Sequence, residues 1–190
     1  MKHPIQPDAY YLQLTACRSS LLICVDLNSS SSDTMARCGD GYQMTLSWVP
    51  DKNGHVPKHA IEAGPGVYVC RAEHDGEKMP GKLVAEHGCA YVCYAGQEHE
   101  KNKYEVLCNT AVHCHDCYRW KHDSHGNVPK KAVVAGISDD GSPLYIVRGR
   151  IEGEPVVGKL HFGHPCAYFP YGGQEVSKDE YEVLVWVKDN

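Results

Sequence analysis

The chain repeats itself. Gly81-Lys82-Leu83, Ala90-Tyr91, Gly96-Gln97-Glu98 and Tyr104-Glu105-Val106-Leu107 return, 77 residues later in each case, as Gly158-Lys159-Leu160, Ala167-Tyr168, Gly173-Gln174-Glu175 and Tyr181-Glu182-Val183-Leu184. A constant displacement across four ordered blocks means two copies of one folding unit, and such a repeat constrains the architecture more than any local motif. The first copy opens at Trp48 and the second at Trp120, a displacement of 72, which has grown to 77 by Tyr68 and Tyr145. The second copy therefore carries five extra residues between Gly136 and Tyr145, where Ile137-Ser138-Asp139-Asp140-Gly141-Ser142-Pro143-Leu144 replaces Pro65-Gly66-Val67. The expected organisation is an extension over residues 1–47, a first repeat over 48–119 and a second over 120–190.

Within each copy, short runs of β-formers alternate with turn chemistry. Val67-Tyr68-Val69-Cys70-Arg71-Ala72, Cys89 to Tyr94 and Tyr104 to Leu107 read as strands, separated by Asn53-Gly54, His74-Asp75-Gly76 and Pro80-Gly81. Asn-Gly tolerates the positive φ of tight hairpin turns. Tyrosine, at 12 against 2 Phe, suits half-wet strands rather than a helical bundle. The expectation is an all-β fold of two pseudo-symmetric antiparallel repeats with an irregular N-terminal extension. Within that extension, Tyr10 to Leu27 is compatible with a strand or a short helix, and Ser29 to Asp33 reads as a linker.

Composition excludes several classes. A net charge of −5 with no basic block argues against nucleic acid as a partner. The longest apolar run near the start, Leu21 to Val25, is too short for a membrane span or a signal core. A cytoplasmic chain with reduced thiols is expected, with release by a route that uses no signal peptide as an extension of that reading. Of ten cysteines, only Cys89 and Cys166 correspond between the copies, and Cys70 and Cys93 sit in strand runs as small apolar fillers. No G-x-G-x-x-G, P-loop or G-x-S-x-G is present, so no cofactor and no enzymatic activity are expected.

Lys82 and Lys159 each follow a glycine at a β-run. Such a lysine either extends into solvent or turns its three ammonium donors into a hollow to hold ligand oxygens. Asp139 and Asp140 are candidate acceptors beside Lys159, although Asp-Asp-Gly is also an ordinary turn. An ammonium, a carboxylate and an aromatic rim together suit vicinal sugar hydroxyls. Glu98 and Glu175 close Gly-Gln-Glu turns and are expected to bond backbone amides there. His113-Cys114-His115-Asp116-Cys117 offers one metal-like knuckle without a second, and reads as a connector between the repeats.

The ordered blocks from Trp48 through Asn53-Gly54, Ala63-Gly64, Tyr68 to Gly76, Pro80-Gly81-Lys82 and Gly96-Gln97-Glu98 to Leu107, repeated from Trp120 to Leu184, resemble the DM-nine repeat family of invertebrates. That resemblance implies an all-β pair of pseudo-symmetric repeats that exchange strands, often as a homodimer. It also implies a non-enzymatic mannose-type lectin that recognises mannose-containing glycans on microbial surfaces in innate immunity. In mannose-binding members the lysine of the Pro-Gly-Lys block and an aspartate two places after Ala-Gly hold the sugar. The lysine carries over to Lys82 and to Lys159, where Val157 stands in place of the proline. The aspartate does not carry over: the first copy is shortened to Pro65-Gly66, and the second has Ser138 followed by Asp139. The alternative is a non-catalytic structural or interaction module whose sugar site has degenerated. The methyltransferase-type name carried by some members finds no chemical support in these residues. Zinc per chain, measured after dialysis, is expected near zero; a stoichiometric value would make the His113–Cys117 segment a metal knuckle.

Overall fold

In the computed structural model, the structure describes residues 46–110 and 117–187, together with the backbone of 36–38 and 41–43. The chain divides into a unit over Met1–Gln43 and a unit over Met44–Asn190. In the smaller unit, β1 (Ala36–Cys38) and β2 (Gly41–Gln43) pair as an antiparallel hairpin. The Tyr10–Leu27 and Ser29–Asp33 readings fall outside the described residues, as does the histidine-cysteine segment apart from Cys117.

The larger unit is a single antiparallel sheet of fourteen strands. The first repeat contributes β3 (Leu46–Lys52), β4 (Glu62–Gly64), β5 (Val67–His74), β6 (Glu77–Val84), β7 (Cys89–Tyr94), β8 (Gln97–Lys101) and β9 (Lys103–Asn109). The second contributes β10 (Tyr118–Ser124), β11 (Val134–Ile137), β12 (Pro143–Ile151), β13 (Glu154–His161), β14 (Ala167–Tyr171), β15 (Gln174–Lys178) and β16 (Glu180–Trp186). The spatial order is β10-β16-β12-β13-β14-β15-β8-β7-β6-β5-β9-β3, with β4 on β5 and β11 on β12. Read from either end, this order is the same sequence of equivalent strands. A pseudo-twofold axis therefore passes between β15 and β8, where Gln174 faces Gln97, its own counterpart.

The sheet curls so that both repeats share one core. Val69 and Leu107 meet Ile146 and Leu184, their equivalents, in a cluster that also holds Ile61, Val133 and Val157. Each of these side chains is at most 8 % exposed, so burial there supplies a large part of the stabilisation, about 25 cal/mol per Å² of apolar surface. Two further clusters are each centred on one repeat, around Leu83, Val92 and Val106, which Leu144 of the other repeat joins, and around Leu160, Phe169 and Val183.

Contrary to the expectation of exchanged strands, the strands of each repeat stay together in the sheet, and the repeats meet through side chains and one strand contact. Arg71 pairs with Glu105 at 2.6 Å, lies 4.3 Å from the Trp48 ring centre, and donates to the Ala135 carbonyl of the other repeat at 2.7 Å. Arg148 repeats the arrangement on Glu182, Trp120 and the Ala63 carbonyl. The repeated tryptophan, arginine and Tyr-Glu words are thus one cross-repeat clamp, made twice.

The repeated glycines mark close crossings. A Cβ on Gly81 would lie 2.0 Å from the Tyr91 carbonyl oxygen, and one on Gly158 would lie 2.0 Å from that of Tyr168. At Gly136 a Cβ would come within 2.1 Å of the Lys78 carbonyl, across the repeat boundary. Backbone atoms cannot swing aside as a flexible side chain can. Gly158→Ala is therefore expected to lower stability by more than about 2 kcal/mol, read as a fall in the urea midpoint. A midpoint unchanged from the parent would show that the β13–β14 crossing relaxes freely.

Candidate functional site

Lys82 and Lys159 do not extend into solvent. They are 9 % and 7 % exposed, and each points across the pseudo-twofold seam. Position on the strand dictates this: Lys82 on β6 is paired with Tyr91 of β7, and Lys159 on β13 with Tyr168 of β14. Their side chains leave the sheet on the inner face, toward the opposite repeat.

The Lys159 ammonium donates to the Cys93 carbonyl at 2.6 Å and pairs with Glu175 Oε1 at 3.0 Å. Lys82 donates to the Pro170 carbonyl at 2.8 Å and pairs with Glu98 Oε1 at 3.2 Å. Cys93 and Pro170 are equivalent positions, so each lysine ties its own repeat's glutamate to the backbone of the other repeat. The second oxygen of each glutamate continues the tie. Glu175 Oε2 accepts from the Gly96 amide at 2.8 Å, and Glu98 Oε2 from the Gly173 amide at 2.7 Å. The expectation that these glutamates bond turn amides describes their Oε2 atoms; the turn bonded is that of the other copy. Their Oε1 atoms, facing the lysines, are the part the sequence reading missed. The bonded amides belong to tight turns in which Ala95 and Gly96 have φ of 49° and 83°, and Gly172 and Gly173 have 61° and 81°. This left-handed geometry aims the N–H at the carboxylate.

Each ammonium also sits between two tyrosines. Lys159 is 5.4 Å from the Tyr94 ring centre and 5.9 Å from that of Tyr168; Lys82 is 5.2 Å from Tyr91 and 5.3 Å from Tyr171. Attraction to the ring faces adds to the ion pair in both.

Around Lys159 this arrangement opens into a cavity of about 300 Å³. Lys159, Ser138 and Asp139 line it together, with Glu77, Tyr94, His161, His164, Tyr168 and Glu175. Asp140 is outside the lining. Its carboxylate accepts from the Ser138 hydroxyl and from the Ser142 amide, and lies 3.4 Å from His161 Nε2. The Ser138 hydroxyl bond, then the Ser142 amide, draw the Asp140 pKa down to about 2. Asp140 shapes the inserted loop, as an Asp-Asp-Gly turn would. That loop is pinned to the first repeat where the Asp139 amide donates to Glu77 Oε1 at 2.8 Å. Lys82 has no such loop beside it, because Pro65-Gly66 occupies that place.

Ionisation at this site follows from burial against pairing. Burial acts to raise the Glu175 pKa, but the Gly96 amide, Lys159 and the Cys93 thiol outweigh it and hold the carboxyl below its ordinary value. Burial pushes the Cys93 thiol well up, so it remains protonated and donates to Glu175. Cys70, Cys89, Cys93, Cys108 and Cys166 are free thiols. Among the described residues no group of histidine, cysteine and carboxylate side chains is arranged to hold a metal ion. No helix among them is long and apolar enough to cross a membrane.

The fold and this seam are those of a tandem β-repeat protein with its lysines turned inward. The DM9 repeat profile matches residues 64–178, and the chain belongs to that family. The crystal structure of the nematode sperm cell motility protein MFP2B is similar in fold, with a TM-score of 0.55 at 14 % identity over 76 % of this chain. The present chain spans 45 % of the length of MFP2B. No curated protein matches the sequence significantly.

A depressed glutamate stabilises the fold above the unfolded carboxylate pKa and loses that contribution as pH falls through its folded value. Glu175→Gln is therefore expected to cost about 3 kcal/mol at pH 7, the scale for breaking a buried pair. The difference from the parent shrinks below about pH 4. Urea unfolding of both proteins across this range checks it; a pH-independent difference would mean that Glu175 contributes by packing alone.

Proposed function

We propose that this protein is a non-enzymatic carbohydrate-binding protein of mannose type that takes saccharide in the Lys159 cavity. The supporting observation is a buried ammonium at the base of a hollow of about 300 Å³, a volume that suits a single hexose ring. Lys159 spends one donor on Cys93 and one on Glu175, and its third faces Met79 Sδ at 4.0 Å, a weak acceptor that a sugar hydroxyl would replace. Asp139 and Glu77 offer acceptors for neighbouring hydroxyls, and Tyr94 and Tyr168 offer ring faces for the C–H side of a pyranose. An epimer that leaves one buried partner unpaired is disfavoured by about 1–3 kcal/mol. Mannose-containing glycans on microbial surfaces are the proposed partners. Single-site affinity of this kind is weak, so avidity from a homodimer is part of the proposal.

One observation favours a second reading, a structural or interaction module. Both lysines are already engaged in symmetric ties, and such ties hold the repeats together with or without a sugar.

The two readings separate by mutation. Lys159→Met, which keeps the side chain's bulk, is expected to lower affinity for a mannoside at least about tenfold, the size of one lost charge-assisted hydrogen bond. Lys82→Met is expected to lower it by less than about twofold. Glycan-array or calorimetric titration of both variants, each first checked for a cooperative thermal melt, reads the difference. Equal binding by the parent and both variants would leave the lysines as seam ties only.

A further inference from the structure

Duplication places an internal control beside the Lys159 cavity. Four histidines surround that site: His161 and His164 in its wall, and His74 and His99 behind Tyr94. The equivalent positions around Lys82 are Val84, His87, Ile151 and Val176. Two copies of one scaffold thus differ by three imidazoles gathered on a single site. The histidines are also stacked in pairs, His161 on His164 with ring centres 4.1 Å apart and His74 on His99 at 4.0 Å. His164 Nδ1 is 3.1 Å from the Tyr168 hydroxyl, and His99 Nε2 is 3.2 Å from the Tyr94 carbonyl.

The fixed charges at the cavity are mostly negative. Lys159 is matched by Glu175 on β15. Asp75 after β5, Glu77 on β6 and Asp139 on the inserted loop gather about Tyr94, and these carboxylates, Asp75 foremost, push the tyrosine's pKa up. Asp140 faces His161 from outside, and Lys101 at the end of β8 acts on His74. Burial, then the neighbouring His161, lowers the pKa of His164, and burial, then Lys101, lowers that of His74. Both rings are neutral at pH 7, so carboxylates set the field there.

We propose that the Lys159 cavity selects saccharides by charge, and that acidification reverses the selection: it takes neutral sugars at neutral pH and admits carboxylate-bearing sugars once its surrounding imidazoles are protonated. This rests on the saccharide reading above and adds the ligand class and its control. A uronate carboxylate entering at pH 7 meets Glu77 and Asp139 with Lys159 already paired. Histidine is the side chain whose charge changes between pH 5 and 8, so a drop across that interval acts on four imidazoles about this site and on one about the other.

The test uses the full chain with methyl α-mannopyranoside and its C6-oxidised counterpart, methyl α-mannopyranosiduronate, titrated by NMR at about pH 7.5 and 5.0, where the uronate stays ionised. At the higher pH the uronate is expected to bind at least about tenfold more weakly than the neutral glycoside. At the lower pH the ratio is expected to close by about tenfold, the effect of one added unit charge at about 6 Å in a medium of effective dielectric about 40. A His161→Gln/His164→Gln variant should lose most of the pH shift, because these two imidazoles line the wall while His74 and His99 lie behind Tyr94. A His55→Gln/His125→Gln control, which removes two imidazoles outside the cavity lining, should keep the shift. Glu77→Gln/Asp139→Asn should raise uronate binding at pH 7.5, giving a second readout if the histidine variant fails to fold. A ratio unchanged by pH in the parent, or a shift that survives in full in His161→Gln/His164→Gln, overturns the charge selection while leaving neutral-sugar binding intact. No binding of either glycoside at either pH overturns both readings.

Discussion

Two lysine–glutamate ties across a pseudo-twofold seam govern this molecule. The ladder between β15 and β8 is short, with Gln174 opposite Gln97 and a few flanking amide bonds. That ladder is small beside the shared apolar core and the two arginine clamps, neither of which fixes polar partners at the seam itself. Instead, each ammonium satisfies a carbonyl of the other repeat and holds a carboxylate that in turn accepts an amide from that repeat. Because the ammonium and the carboxylate of each tie both bond the opposite half as well as each other, removing one partner strands a buried charge. The ties therefore specify how the repeats meet as much as they stabilise the meeting.

The seam explains why the repeated words recur together. Glycine precedes each lysine because the strand crossing leaves no room for a Cβ. Lysine follows because the next inward-facing position reaches the other repeat. The Gly-Gln-Glu word supplies a left-handed turn whose amide is given away and a glutamate that receives the partner's amide. These residues form one device, built from two distant stretches of each copy.

Against that symmetric frame, the five-residue insertion is where the copies part in chemistry. It brings Ser138 and Asp139 to the wall beside Lys159, pins itself on Glu77 of the other repeat, and leaves Lys82 with a plain Pro-Gly turn. The histidines accumulate on the same side. On one scaffold, the two equivalent positions thus hold a seam tie beside a charged hollow and a seam tie without that loop.

The sequence alone determined the duplication, the antiparallel β character and the two lysines, because a fixed displacement, runs of β-formers and Gly-centred turns can be read along the chain. It also marked the insertion as the point of difference, and through the ordered blocks it identified the family. Tertiary structure alone decided what the lysines face. Lys159 is 16 residues from Glu175 and 66 from Cys93, yet it bonds both, and no spacing rule encodes a contact made across a pseudo-twofold axis. The same holds for Glu77, Tyr94, His161 and His164, which look unremarkable along the chain and converge only when the sheet curls. Asp139 and Asp140 are adjacent and chemically identical. Only the turn geometry sends one into the cavity wall and the other onto Ser138 and Ser142. Local patterns encode strands and turns, whereas a site assembled from two repeats depends on how their faces meet.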